Sequence, residues 1–197
     1  MGYYHSHSIW KILSKFTWPM AETVAVASEP GSYDEFLRDF RETLRDGSAQ
    51  LRDISDEKSA EKLNGDWSCK EILGHLIDSA ANNHQRFVRA QFTDHLDFPG
   101  YDQEQWVAAQ SYSGEPWLSL VEFWRAYNTH LLHTVSVIPP QILTERRTRH
   151  SLDQIAFKMV DRKTPATLEY LIRDYLDHLK HHLSQIWRLT CPTATKN

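Results

Sequence analysis

Residues 168–190 of the chain read LEYLIRDYLDHLKHHLSQIWRLT and carry its most regular pattern. Side chains three and four positions apart lie on the same face of an α-helix. In this stretch that face is occupied, at alternating intervals of three and four, by Leu168, Leu171, Tyr175, His178, His182, Gln185 and Leu189. The pattern predicts a helix that begins between Thr164 and Thr167 and ends near Thr190, with this face packed against other helices.

Capping signals and proline positions predict three more helices. Residues 32–35 (SYDE) and 68–71 (SCKE) each place a glutamate three positions after a serine, so that both side chains satisfy free backbone amides of a first helical turn. The second of these helices should run to about Phe92, and a third should begin near Pro116 and stop at the prolines 139–140. Four amphipathic helices with connections of intermediate length predict an all-α four-helix bundle with long connecting loops.

Charge, hydropathy and cysteine content exclude several classes of partner and location. The formal net charge is -4, and basic residues cluster only at 146–149, so we expect no nucleic-acid partner. No stretch approaches the length of a membrane span, so we expect no membrane partner either. Two cysteines, Cys69 and Cys191, do not make a disulfide framework, and a reducing cytoplasm is the simpler expectation.

Two segments carry weaker signals. Residues 1–31 lack the clean apolar stretch of a secretory signal, so we expect a leader that is loosely docked or flexible, ahead of a bundle domain over residues 32–197. Residues 141–163 are mixed in character and charged. A short helix, a hairpin and an irregular loop all remain open for this second segment.

His178 and His182 are the most informative pair in the sequence. They lie four residues apart on the inward face of the last predicted helix, so their imidazoles sit one above the other. Buried imidazoles need partners, and a shared metal ion would satisfy both, since neutral imidazole is a common ligand of zinc and nickel. The alternative is that hydrogen bonds satisfy them, because histidine also recurs without an evident purpose at His130, His133 and His181.

A polar face runs along the second predicted helix. His75, Ser79, Asn82 and Arg86 follow one another at spacings of four, three and four, and apolar residues flank them. Such a face is either solvated or lines a cavity inside the bundle. His84 points away from it, which predicts a surface position.

Three motifs in this chain resemble the DinB/YfiT-like proteins. The motifs are Trp67-Ser68 opening a helix that carries His75, Asp78, Ser79, Asn82, Arg86 and Phe87, then Tyr101-Asp102 followed by Trp106, and finally His178 with His182. Together they span most of the chain from residue 32 to residue 190. The resemblance implies an up-down-down-up four-helix bundle and a divalent metal ion, zinc or nickel, held by His75, His178 and His182.

A three-histidine site of this kind would leave a coordination position open, which is typical of catalytic rather than structural sites. The ion would activate water for hydrolysis, or a low-molecular-weight thiol for attack on a small-molecule electrophile, and the resemblance favours the thiol S-transferase. The candidate catalytic residues are Asn82, which with Ser79 would orient water or substrate, Asp78, which would fix an imidazole tautomer, and Arg86, which would pair with a substrate carboxylate. The alternative for Asp78 and Arg86 is an exposed charge or a mutual salt bridge.

Further roles and functions stay open at this stage. Asp174 lies one turn before His178 and is a second candidate for fixing a tautomer. Tyr101 and Trp106 would either line a pocket or pack the loop that follows the second predicted helix onto the bundle. The competing function is a non-catalytic metal-binding stress-response protein or a partner-binding bundle, and the surplus of aromatic residues is compatible with a homodimer.

Overall fold

The computed structural model describes residues 31–62 and 66–190, and the predicted leader therefore falls, apart from its last residue, outside the described residues. The helices of the described residues are, in chain order, α1 (Tyr33–Arg52), α2 (Asp56–Ala60), α3 (Cys69–Arg89), α4 (Gln103–Gln110), a 3-10 turn (Tyr112–Gly114), α5 (Trp117–Ser136), α6 (Pro140–Thr144), α7 (Leu152–Ile155) and α8 (Leu168–Thr190). Within those residues no helix is both long enough and apolar enough to cross a membrane.

Both predicted capping boxes are present at the starts of α1 and α3. The Ser32 hydroxyl accepts a hydrogen bond from the Glu35 amide, and the Glu35 carboxylate accepts one from the Ser32 amide at 2.7 Å. Ser68 and Glu71 repeat the arrangement. The capping side chains accept the hydrogen bonds that the first backbone amides of a helix cannot make within it. For this reason the sequence predicted the residue at which each of these two helices begins.

Helices α1 and α5 are antiparallel. At one end, the Trp117 indole at the start of α5 donates to the Leu51 carbonyl at the end of α1, at 2.7 Å. At the other end, the Tyr33 hydroxyl at the start of α1 donates to the Val135 carbonyl near the end of α5, at 3.1 Å.

Helices α3 and α8 are also antiparallel. His75, early in α3, meets His178 in the middle of α8, whereas Phe87, late in α3, packs its ring 5.9 Å from that of Tyr175, earlier in α8. The earlier residue of α3 thus contacts the later residue of α8, and the later residue of α3 contacts the earlier one, as in an antiparallel pair.

Helices α3 and α5 run in the same direction. The Lys70 ammonium at the start of α3 donates to the Glu115 carbonyl just before α5, and His84 further along α3 contacts Tyr127 further along α5. Since α1 opposes α5 and α8 opposes α3, the four long helices run up, down, down, up. This confirms the predicted four-helix bundle and its topology.

The lateral order of the helices brings α3 beside α8. Both α1 and α3 pack against α5 and against α8, so the consecutive pairs α1–α3 and α5–α8 lie on the diagonals of the bundle. The approach of α1 to its neighbours depends on Gly47, where a Cβ atom would lie 3.1 Å from Leu183 Cδ1 and 3.3 Å from Trp124 Cη2. A side chain at this mid-helix position would crowd both neighbouring helices.

The two long connections contain more structure than the sequence indicated. The stretch between α3 and α5, predicted as a loop, holds α4 and the 3-10 turn, and α4 was missed because it buries a single side chain, Val107, and so has no apolar face. The stretch after α5 holds α6 and α7, with an antiparallel bridge between Arg147 and Ala166. A bridge between Leu96 and His150 joins the two connections to each other.

Candidate metal centre

Three imidazoles from two helices converge at the α3–α8 interface. Nε2 of His178 lies 3.2 Å from Nε2 of His75 and 2.9 Å from Nε2 of His182. One nitrogen from each ring lies within 4.8 Å of the other two. The antiparallel packing of α3 on α8 supplies the third histidine that the spacing along α8 could not.

This arrangement fits a divalent cation. Nitrogen ligands at about 2.0–2.1 Å from a tetrahedral zinc ion lie roughly 3.3 Å from one another, close to the two nitrogen–nitrogen distances here. The rings are steeply inclined to one another, at 72° to 80°, so the three nitrogen lone pairs can point toward one centre instead of past it. His75 is 2 % exposed, while His178 and His182 are partly exposed, so the cluster is reachable from one side.

Hydrogen bonds on the outer side of the cluster orient two of the rings. Nδ1 of His182 lies 2.7 Å from the Gln185 side-chain oxygen, which can only accept, so Nδ1 carries the proton and Nε2 presents its lone pair to the cluster. Nδ1 of His178 lies 3.4 Å from the Ser79 hydroxyl. Nδ1 of His75 is buried and has no hydrogen-bond partner among the described residues.

Burial keeps the three imidazoles neutral. It lowers the pKa of His75 from 6.5 to about 3, and the neighbouring His182 adds to the effect. Burial likewise lowers the pKa of His182 to about 4 and that of His178 well below its ordinary value. Neutral imidazole is the form that binds metal ions, so the site is ready for a cation at neutral pH without losing protons first.

Aromatic rings enclose two sides of the cluster. Trp67, just before α3, has its ring centroid 5.4 Å from that of His75, and Phe157 lies 5.4 Å from His178. Asp174 holds Phe157 in place, because its carboxylate accepts hydrogen bonds from the amides of Phe157 and Lys158, both at 2.7 Å. Both Asp174 oxygens thus bind backbone of the α7–α8 connection, and the expectation that Asp174 fixes an imidazole tautomer is wrong.

Asp78 lies inside the protein, one turn after His75. It is 3 % exposed, and its Oδ1 accepts from the Gln110 amide at 2.6 Å and the Tyr112 hydroxyl at 2.7 Å. Burial raises the pKa of Asp78, while the two donors lower it. Its other oxygen has no partner among the described residues. The exposed-charge alternative is therefore excluded. The Asp78 hydrogen bonds found within the described residues go to Gln110 and Tyr112 and not to an imidazole, and the role of Asp78 in fixing a tautomer stays a prediction.

Asn82 and Arg86 complete the polar face predicted on α3. The Asn82 amide donates to the Asp78 backbone carbonyl at 2.9 Å. Arg86 is 6 % exposed and donates to Pro99 O at 2.9 Å and to Asn83 Oδ1 at 3.3 Å, so it binds the α3–α4 connection to α3. It pairs with no carboxylate within the described residues, and its proposed contact with a substrate carboxylate remains a prediction.

Several residues around the site had no distinctive sequence signal. Gln185 was placed on the inward face of α8 by its spacing, but its contact with His182 depends on rotamers that spacing does not determine. Tyr112 and Gln110 reach Asp78 from a connection that carries no periodicity. Tyr101 lies near Ser79, Asp78 and Arg86 of α3, and its ring centroid is 4.9 Å from that of Trp106, so the Tyr101–Trp106 motif packs against α3.

Comparison with known proteins agrees with this geometry. The family model of the DinB superfamily matches residues 33–186. Among solved structures, YfiT from Bacillus subtilis, described as a probable metal-dependent hydrolase with an unusual four-helix bundle topology, is similar with a TM-score of 0.65 at 18% sequence identity, over 83% of this chain and 91% of that one. No curated protein sequence matches the chain. The family match covers α1, α3, α5, all but the last four residues of α8, and the three histidines, and the chain belongs to the DinB superfamily.

Proposed function

We propose that this protein is a metal-dependent enzyme that acts on a small molecule, either as a hydrolase or as a thiol S-transferase. The observation that carries the proposal is the convergence of three neutral imidazoles on one point that solvent can reach. A purely structural site closes with four protein ligands, whereas three ligands leave a position for a reactant. The similarity to YfiT, described as a probable metal-dependent hydrolase, supports the hydrolase.

His75, His178 and His182 would hold a divalent cation, which would supply Lewis-acid chemistry and lower the pKa of a nearby water or thiol. We propose zinc or nickel as the ion, because imidazole suits both. The Gln185 side chain keeps His182 in the tautomer that presents Nε2 to the centre. Trp67 and Phe157 exclude bulk water from two sides, which strengthens every electrostatic interaction at the centre.

The polar side chains of α3 are the proposed contacts of the substrate. Asn82 lies two turns after His75 on the same helix and is partly exposed, so its amide can hold a polar group of a reactant. Asp78 carries a buried oxygen without a partner within the described residues, which a substrate donor would satisfy. Arg86 supplies positive charge at the far end of this face, suited to a substrate carboxylate.

Metal analysis is the first test of the proposal. Purified wild-type protein should retain about one equivalent of zinc or nickel, and His178→Ala should lose it. His95→Ala is the matched control, since the ring of His95 contacts Phe98 and no histidine within the described residues. Wild-type protein that takes up neither ion would contradict a metal mechanism.

An activity screen separates the enzyme from a non-catalytic metal protein. Small esters and amides test hydrolysis, and a low-molecular-weight thiol with an alkylating electrophile tests S-transfer. Turnover should disappear on chelation, return with the metal and be absent in His178→Ala. A protein that binds metal and turns over no substrate of either class would favour the non-catalytic alternative. A cytoplasmic location and a homodimer remain predictions.

A further inference from the structure

A second cluster of histidines lies on the opposite flank of α3, where that helix packs against α5. The rings of His84 on α3 and His130 on α5 lie 5.2 Å apart, centroid to centroid, and are inclined at 89°. The sequence predicted a surface position for His84 and no evident purpose for His130. Tertiary packing brings the two rings together, because α3 and α5 run side by side in the same direction.

The ring separation and ring inclination of this pair are similar to those in the three-histidine centre. There the ring centroids lie 4.4 to 5.2 Å apart, inclined at 72° to 80°. A steep inclination at this separation lets a nitrogen of each ring approach a common point, whereas parallel stacking would turn the lone pairs away from one another. His133, whose ring is 6.5 Å from that of His130 and inclined at only 34°, does not share this arrangement.

An outer hydrogen bond supports the pair, as Gln185 supports the main centre. Nδ1 of His84 lies 3.4 Å from the Tyr127 hydroxyl, and the two rings meet edge to face at 5.8 Å. When Nδ1–H donates to the hydroxyl oxygen, Nε2 is left with a free lone pair. Such outer partners fix both the tautomer and the orientation of metal-binding imidazoles.

This pair is separate from the main centre. His84 follows His75 by nine positions, which is about 13 Å along a helix axis. It also faces α5, whereas His75 faces α8. His84 is partly exposed and His130 exposed, so an ion bound here would exchange with solvent more readily than one at the buried centre.

We propose that His84 and His130 form a second binding site for a divalent transition metal ion of the zinc or nickel type. Two imidazoles supply part of the coordination shell, and solvent or a ligand of a second molecule completes it. Borderline-soft cations that prefer nitrogen ligands are the class selected, because the pair offers no carboxylate for calcium or magnesium. This second site would bind the metal ion more weakly and exchange it more readily than the separate three-histidine centre.

The test is a calorimetric titration of metal-free protein with zinc at neutral pH. Wild-type protein should show two classes of site. His130→Ala and His84→Gln should each lose the weaker class and keep the tighter one, whereas His178→Ala should do the reverse. Tyr127→Phe should weaken the second class by about 10- to 100-fold, the usual range for removing an outer partner.

His130→Ala is the most direct variant, since this side chain is exposed and its removal leaves the core untouched. His95→Ala serves as the control and should change neither class. All variants retain every other histidine of the chain, so a difference between them isolates the pair. A titration in which no class of site is lost in both His84→Gln and His130→Ala would overturn the proposal, whatever the outcome for the main centre.

Discussion

Burial of the three imidazoles predicts that the metal-free protein is unusually sensitive to mild acid. The pKa of His75 falls from 6.5 to about 3 and that of His182 to about 4 in the folded protein. Unfolding restores the ordinary pKa of each histidine. Below pH 6.5 these histidines are therefore protonated in the unfolded chain but stay neutral in the folded protein. The stability that these groups contribute is therefore present above about pH 6.5 and is lost as the pH falls.

The size of the effect follows from the shifts. One pKa unit corresponds to about 1.36 kcal/mol, so lowering the pH from neutrality to about 5 should cost roughly 2 kcal/mol for His75 and as much for His182. Their sum, about 4 kcal/mol, is a large part of the roughly 5–15 kcal/mol by which domains are usually stable. His178, whose pKa is also lowered, adds to this loss.

Urea unfolding of metal-free protein at about pH 7.5 and about pH 5 measures this loss. His75→Gln removes one titrating group, so the variant should lose about 2 kcal/mol less than the wild type between the two pH values. Asp174 opposes the trend, since burial raises its pKa to about 6 and protonation there favours the folded state, but it acts equally in both proteins and cancels. Equal losses in wild type and His75→Gln would refute the reasoning, and His95→Gln is the matched control.

Three further predictions concern packing and orientation. Gly74→Ala should destabilise the protein by about 1–3 kcal/mol, measured by thermal unfolding, because a Cβ atom there would overlap the Tyr112 ring, whereas Gly114→Ala, with nothing within 4 Å, should be close to neutral. Gln185→Leu should weaken zinc binding by about 10- to 100-fold in calorimetry while leaving the fold intact, since it removes the Nδ1 partner of His182 and a contact with the partly exposed His181; unchanged affinity would exclude the orienting role. Tyr175→Phe should cost about 1–3 kcal/mol in urea unfolding, because it leaves the buried Asn128 side-chain oxygen to which it donates without that hydrogen bond.

Local sequence signals predicted the four long helices well. Both capping boxes lie where Ser32 and Ser68 indicated, and α8 begins one residue after Thr167. Such signals work because each depends on residues within one or two turns. The helix predicted to reach about Phe92 ends three residues earlier, at Arg89, where the C-cap is Ala90 and neither glycine nor asparagine signals the end in the sequence.

The connections were harder to predict for a physical reason. Helix α4 and the 3-10 turn are held by contacts with α3, such as that of Tyr112 with Asp78, and these join residues far apart in the chain. Asp174 was misassigned for a similar reason. Its position one turn before His178 suggested a contact along the helix, whereas its carboxylate binds backbone amides of a distant connection.

The sequence by itself determined that the chain forms long amphipathic helices and that His178 and His182 share one face of the last of them, because both follow from the period of the helix. The family resemblance pointed to His75 as the third ligand, but only the tertiary structure decided that its ring reaches that pair and that His84 meets His130. Both contacts depend on which helices become neighbours and in which direction each one runs. Helix spacing is a property of a few consecutive residues, whereas convergence of side chains on one point is a property of packing.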